Sequence, residues 1–231
     1  MRSLGKVNVL DYLRAFGFLA RHPTLIIAPL LMSAILIALN EFLSLGSRGG
    51  FGGFGSLIAS LLNSFGLGVS LILADQIWRR GSARFDDAWE EGRRKFVEIL
   101  LAAVGFNFVQ WVAQLVGGIF GPLSLVLSIA AVYFFIYTIP AAAVGGVPGL
   151  AALQISLERV QRSYANAAVL TVIYLLVSLV LEPVVVSALL PLATIPPLGL
   201  SAIGAIVKSI GFGYLALVMS KGYADVSYGR F

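Results

Sequence analysis

Charged residues are absent from long stretches of the chain, and this pattern predicts its helices. The uncharged windows cover residues 24–40, 49–74, 99–157, 163–181 and 183–207. A helix that crosses about 30 Å of hydrocarbon needs about 20 apolar residues. Windows of this length predict membrane-spanning helices, and the third window is long enough for two.

Glycine and proline divide the two longest apolar regions. The segment GGIFGPLS (117–124) carries three glycines and a proline, and LPLATIPPLG (190–199) carries three prolines. These residues oppose a continuous helix. We therefore predict about six spans, at residues 24–45, 56–78, 97–118, 122–143, 165–189 and 199–220.

A short amphipathic segment precedes each odd-numbered span. These segments cover residues 9–22, 83–96 and 148–163, and each places apolar residues at helical spacing. They predict helices that lie along the cytoplasmic membrane surface. The aromatic residues expected to anchor the first two of them in the interface are Phe16, Phe85 and Trp89.

The repetition of this arrangement defines the predicted fold. The fold class is all-α: a polytopic helical membrane bundle of three hairpins, each preceded by an interfacial amphipathic helix. We expect one membrane domain over residues 1–231. Its pseudo-repeats cover about 9–78, 83–143 and 148–221.

Composition and the location of charge agree with a membrane protein. The 231 residues are 59% hydrophobic and 12% charged, whereas soluble domains are about 25% charged. With six spans, one side of the membrane carries 14 of the 16 Lys and Arg residues. The positive-inside rule places that side and both termini in the cytoplasm. Acidic residues are mixed with the basic ones there, so we expect membrane lipids rather than nucleic acid as partners.

A few polar residues interrupt the apolar spans and are candidate site residues. Glu41, Gln114 and Glu182 each lie twenty residues after an arginine that precedes a span, and Lys208 lies inside the sixth span. Charged residues in a bilayer usually face protein or water. A Glu182–Lys208 pair is therefore one prediction, as an ion relay or a gate. In the alternative, Glu182 is neutral and reaches the head groups, while Lys208 lines a helix contact.

Two further sets of residues lie at helical spacing within spans. Asn107 and Gln110 join Gln114 on one side of span three, where amides either line a wet path or bond to neighbouring helices. Small residues at four-residue spacing in span six predict a close helix contact, within the bundle or with a second copy of the chain. The residues of this seam are Ser201, Ala205, Ser209 and Gly213.

Residue types needed for most enzymatic chemistry are scarce. The chain has no cysteine and a single histidine, His22, so neither a thiolate nucleophile nor a clustered metal site is expected. The glycine-rich segment 46–56 lacks the lysine–serine ending of a phosphate-binding loop. We therefore expect no enzyme, no metal and no cofactor.

The passage IPAAAVGGVPGLAALQISLERV (139–160) resembles the YciC-like six-span bacterial membrane proteins and the membrane domain of some glycerophosphodiester phosphodiesterases. In those proteins a proline ends a span, a glycine follows, and a helix then lies on the membrane. The matching residues are Pro140, Gly149, Ala152, Leu153 and Ser156. An acidic residue found before the glycine in that pattern is replaced here by VGG (144–146). The resemblance implies a six-helix architecture and no defined activity.

Two functions are compatible with these features. The first is a non-enzymatic, self-associating protein that organises lipids or serves as an accessory subunit for another membrane protein. The second is a small channel or transporter with a polar path through Glu182, Lys208 and the amides of span three.

Overall fold

The computed structural model describes residues 9–46, 52–119, 121, 123–189 and 196–228. Across these ranges the chain is all-helical, with 91% helix and no strand. The helices of the first half are α1 (Val9–Arg21), α2 (Ile27–Gly46), α3 (Gly52–Arg80), α4 (Phe85–Arg94) and α5 (Phe96–Ile119). Those of the second half are α6 (Leu123–Phe135), α7 (Thr138–Ala143), α8 (Ala151–Arg162), α9 (Tyr164–Leu175), α10 (Glu182–Leu189) and α11 (Pro197–Tyr228).

Within the described ranges, five helical segments are long and apolar enough to cross a membrane. They are Leu57–Arg80, Phe96–Ile119, Leu123–Ala143, Tyr164–Ala188 and Leu198–Ser227. This agrees with the all-helical, multi-pass architecture predicted from the sequence. A sixth span is obtained if α1 and Pro23–Leu39, which meet at 90°, are counted together as one broken span. The count of six and the hairpin layout remain predictions.

The three short amphipathic helices α1, α4 and α8 lie at one end of the bundle. Side chains near this end bond to carbonyls of neighbouring helices: Trp78 Nε1 donates to Leu217 O at 2.9 Å, and Lys95 Nζ donates to Ala143 O at 2.8 Å. Arg159 of α8 donates to the Val226 carbonyl at the end of α11. We call this end, where the arginine-bearing helices meet, the basic end.

The central helices of the bundle are α3 and α11. In each, 61% of the most apolar stretch is buried, compared with 18% in the span Tyr164–Ala188. Fully buried side chains such as Leu71, Leu73, Leu215 and Leu217 form their contact. Of the five candidate spans, Tyr164–Ala188 therefore has the most exposed side.

The predicted span 122–143 is interrupted between α6 and α7. The fully buried hydroxyl of Ser156, on α8, fills this break. It accepts a hydrogen bond from the Tyr137 N–H and donates one to the Phe134 carbonyl, both at 3.0 Å. The hydroxyl thus bonds to backbone groups at the break, which is how non-helical backbone is tolerated at membrane depth.

Candidate functional site: a polar cavity between the helices

A cavity of about 530 Å³ lies between α3, α5, α6, the segment after α9 and α11. Its lining residues come from the first half of α3 and the second half of α5, so it lies in the half of the bundle away from the basic end. Its polar lining residues are Ser60, Asn63, Ser64, Asn107, Gln110, Gln114, Ser128, Tyr174, Ser178 and Lys208.

The three amides predicted on span three all line this cavity. Asn107 accepts a hydrogen bond from Ser60 Oγ at 2.7 Å and donates one to the Ala103 carbonyl. Gln110 Nε2 donates to the Ser128 carbonyl of α6 at 3.3 Å, and Gln114 is exposed. The three amides face the cavity, and two of them join α5 to its neighbours.

The polar residues that α3 contributes were not predicted. Ser60, Asn63 and Ser64 recur at positions i, i+3 and i+4 and line the wall opposite α5. This spacing places them on one face of a helix. The row is visible in the sequence as the polar face of an apolar span.

Lys208 lies near the middle of α11 and is half-buried. Its ammonium nitrogen lies 5.8 Å from the centre of the Phe212 ring, within the range of a cation–π contact, and it makes at least one further interaction. It is the only Asp, Glu, Lys or Arg among the described residues that line the cavity.

A π-helical segment, Leu176–Leu181, joins α9 to α10 and forms one wall. Pro183 follows closely and has no N–H to bond to the Leu179 carbonyl, which disfavours a regular α-helix here. Wider turns of this kind occur frequently at functional sites.

The predicted carboxylates fall partly outside the description. Glu41 belongs to α2 and Glu182 begins α10, but both side chains lie outside the described residues. The pairing of Glu182 with Lys208 therefore remains a prediction.

The predicted seam on α11 faces the protein along most of its length. Ala205, Ser209 and Gly213 are buried, whereas Ser201 is exposed. A side chain at Gly213 would approach Leu19 and Ile26 within 3.0–3.1 Å. The small residue therefore permits a close approach of α11 to the bend between α1 and α2.

A polar network that was not predicted closes the basic end. Tyr12 donates to Asn166 Oδ1 at 2.6 Å, and Asn166 Nδ2 donates to Tyr137 Oη at 3.0 Å. Burial, with smaller contributions from Tyr214, Asp11 and Asp225, raises the pKa of Tyr12 to about 12. Tyr12 therefore stays protonated at physiological pH and keeps donating, so α1 remains bonded to α9.

The proposed interfacial aromatic residues have different surroundings. Phe16 is 57% exposed and stacks on Tyr214 at a centroid distance of 4.2 Å. Phe85 and Trp89 stack on each other and pack against the core, with Trp89 at the edge of Phe65. The aromatic side of α4 thus holds that helix on the bundle, and Phe16 presents the larger free surface.

Residues suited to bind metal are not grouped in the described ranges: no three His, Cys, Asp or Glu side chains lie close enough to hold an ion. Comparisons of the chain with protein families, curated proteins and solved structures found no match.

Proposed function

We propose that this chain is a six-span protein of the cytoplasmic membrane, with both termini in the cytoplasm, that binds a small molecule in the cavity and passes it across the membrane. The observation that carries this proposal is the cavity of about 530 Å³ with amides, hydroxyls and Lys208 in its wall. Ligand sites are of this size and combine apolar walls with a few convergent polar groups. This is the channel or transporter function predicted as the second possibility from the sequence.

The position of the cavity supports a gated path rather than an open pore. The cavity lies away from the basic end, where the Tyr12–Asn166–Tyr137 network joins α1, α9 and the α6–α7 break. Passage to the cytoplasm requires these contacts to part. The break after α6 and the π-helical segment are interruptions of the kind at which transporter helices bend.

The first test uses the natural absence of cysteine. We expect Asn107→Cys, Gln114→Cys and Lys208→Cys to react with a water-soluble thiol reagent in membranes, because a wet cavity lets the thiol ionise. Phe108→Cys is the matched control, since Phe108 is next to Asn107 and 60% exposed but does not line the cavity. A thiol in apolar surroundings has a pKa raised by at least about one unit, which makes its labelling about tenfold slower.

Glu182→Cys completes this set, because the sequence also places Glu182 on the path. Labelling of all four positions at the slow rate of Phe108→Cys would reject a transport path.

A second candidate is the self-associating membrane scaffold or accessory subunit. The observation that favours it is the low burial of the span Tyr164–Ala188, which is 18% buried, compared with 61% for α3 and α11. This span therefore leaves a helix face for lipid, another copy or a partner protein. We expect a defined homo-oligomer, or a fixed complex with a second membrane protein, in native mass spectrometry from mild detergent. Val172→Cys, on the exposed side of that span, should then form cross-links between chains. A monomer that keeps ligand binding would contradict this candidate.

The resemblance to YciC-like proteins remains a proposal. Gly149, one of its matching residues, adopts a positive φ of 41°, and a side chain there would lie 3.0 Å from Leu101. Together with the contacts of Ser156, this gives structural reasons for two residues of the matching pattern.

A further inference from the structure

We infer that the lipid of the cytoplasmic leaflet controls the opening of the basic end through α1. One face of this helix is bonded to the bundle and the other lies in lipid, so a change in the bilayer displaces α1 and breaks the hydrogen bond from Tyr12 to Asn166. This regulation rests on the proposed function, because the Tyr12–Asn166–Tyr137 network closes the proposed path at the basic end.

The direction of α1 places it along the membrane surface. Its axis meets the segment Pro23–Leu39 at 90°, and its 13 residues extend over only about 20 Å, which is too short to cross the bilayer. Its contacts on α11, with Tyr214 and Lys221, fall in the second half of that helix. In the proposed six-span arrangement, α1 therefore lies across the cytoplasmic ends of the spans, at the level of the lipid head groups.

One face of α1 is bonded to the bundle. Asp11 Oδ2 pairs with Lys221 Nζ of α11 at 3.6 Å, and Tyr12 donates to Asn166 of α9 at 2.6 Å. Ala15, one turn further along α1, is fully buried. Parting this face from the bundle therefore breaks the first bond of the network.

The other face of α1 is apolar and exposed. Leu10, Leu13 and Phe16 recur at three-residue spacing and are 57–62% exposed. The side chain of Arg14 borders this face; it lies 3.7 Å from Asp11 and is 67% exposed, and a cation there is attracted to anionic head groups. An apolar helix face bordered by arginine is typical of helices that insert into a lipid surface. Lipid is therefore the partner that fits this face.

The thickness of the bilayer determines where α1 lies relative to the spans. The five candidate spans have 21–30 residues and are thus about 32–45 Å long, which already exceeds a hydrocarbon layer of about 30 Å. A thinner bilayer brings the head groups closer to the membrane centre, whereas the spans keep their length. Because burial of three large apolar side chains outweighs one hydrogen bond, α1 follows the lipid and the bond between Tyr12 and Asn166 breaks.

A buried valine beneath α1 reports this displacement. Val218 is 4% exposed and lies on the face of α11 that carries Tyr214 and Lys221, four residues after the first and three before the second. We expect Val218→Cys in phosphatidylcholine nanodiscs to react with a water-soluble thiol reagent about fivefold faster when the acyl chains have 14 rather than 18 carbons, since a mismatch of a few ångströms shifts equilibria by this order.

Val69→Cys is the matched control. Val69 is fully buried beneath α4, where a Cβ on Gly92 would lie 2.7 Å from its side chain. The aromatic residues of α4 pack on the bundle, so we expect labelling there to be independent of acyl chain length. Equal acceleration at both positions would mean that the whole bundle loosens and would overturn the inference, as would an unchanged rate at Val218→Cys.

Two variants in the Val218→Cys chain test the two faces of α1. Tyr12→Phe removes the hydrogen bond to Asn166, so labelling should be about fivefold faster in both bilayers, which is the worth of one hydrogen bond. Leu13→Ser weakens the lipid contact and should reduce the dependence on chain length. Val97→Ser, at an equally exposed position of α5, should leave that dependence intact. Full dependence in Leu13→Ser would show that lipid does not act through α1.

The labelling of the cavity separates this regulation from the proposed function. If Val218→Cys is insensitive to the bilayer while Asn107→Cys and Gln114→Cys react rapidly, regulation through α1 is wrong and the proposed function stands. If Val218→Cys responds but the cavity positions react at the slow rate of Phe108→Cys, lipid controls the basic end and the proposed transport path fails.

Discussion

Replacing Gly117 with alanine is expected to lower the free energy of unfolding by about 3 kcal/mol, since an added methyl group at a filled site forces the backbone apart. Gly117 lies near the end of α5, where the chain returns as α6. A Cβ there would overlap the backbone of Ser124, with the Ser124 nitrogen only 2.8 Å away. Backbone cannot move aside as a flexible side chain does, so the α5–α6 hairpin must open.

The neighbouring glycine provides the control. A Cβ at Gly118 meets nothing within 4 Å, so Gly118→Ala should leave stability unchanged or raise it by up to about 1 kcal/mol through helix propensity. Both variants are compared by unfolding in a denaturing detergent, followed by loss of helical signal. Equal midpoints for the two would show that α5 and α6 do not approach each other as described.

The second large effect is expected for Ser156→Ala. The hydroxyl is fully buried and bonds to the Tyr137 N–H and the Phe134 carbonyl at the break between α6 and α7. Its removal leaves the buried Tyr137 N–H and the partly buried Phe134 carbonyl without this partner, and an unsatisfied buried group costs about 1–3 kcal/mol. We expect a loss of about 3 kcal/mol in the same unfolding measurement, together with faster proteolysis near residue 137.

Ser209→Ala is the control that distinguishes loss of the Ser156 bridge from loss of a buried hydroxyl in general. Ser209 is as deeply buried, but its hydroxyl donates to the Ala205 carbonyl of its own helix, so its loss leaves no helix break uncapped. We expect a change below about 1 kcal/mol there. If the two serine variants lose equal stability, Ser156 is an ordinary buried hydroxyl and the break is held by other contacts.

The sequence predicted the spans well where a long apolar window has clear ends. The third span was expected at 97–118 and the helix covers Phe96–Ile119, because charged residues precede it and glycines follow it. The last helix instead continues to Tyr228, since the expected end near residue 220 rested on hydropathy. Its C-terminal turns are polar enough to look like a tail, but Tyr223 and Ala224 are buried against other helices.

The break at residues 136–137 was not predicted, because its main support is a tertiary contact with Ser156. One local signal was present. Pro140 cannot donate to the Ile136 carbonyl, just as Pro183 cannot donate to that of Leu179. Both prolines mark interruptions, and Pro140 was interpreted only as the end of a span.

The cavity could be predicted only in part. The amides Asn107, Gln110 and Gln114 were identified because a row of polar side chains in an apolar span either lines a polar path or bonds to neighbouring helices. The volume itself depends on how the π-helical segment and α6 lie relative to each other, and no single-span pattern encodes the distance between two helices. The position of Lys208 in the wall likewise follows from the way α11 packs.

The contact of Ser156 has a consequence for how the chain is made. The hydroxyl lies 19 residues after Tyr137, its hydrogen-bond partner. At a synthesis rate of about 5–20 residues per second, the ribosome adds Tyr137 about 1–4 s before it adds Ser156. During that interval the interrupted helix lacks its bridging group, so the nascent span must keep contact with water or with the insertion machinery. The break between α6 and α7 therefore gains its bridging group only once α8 has been translated.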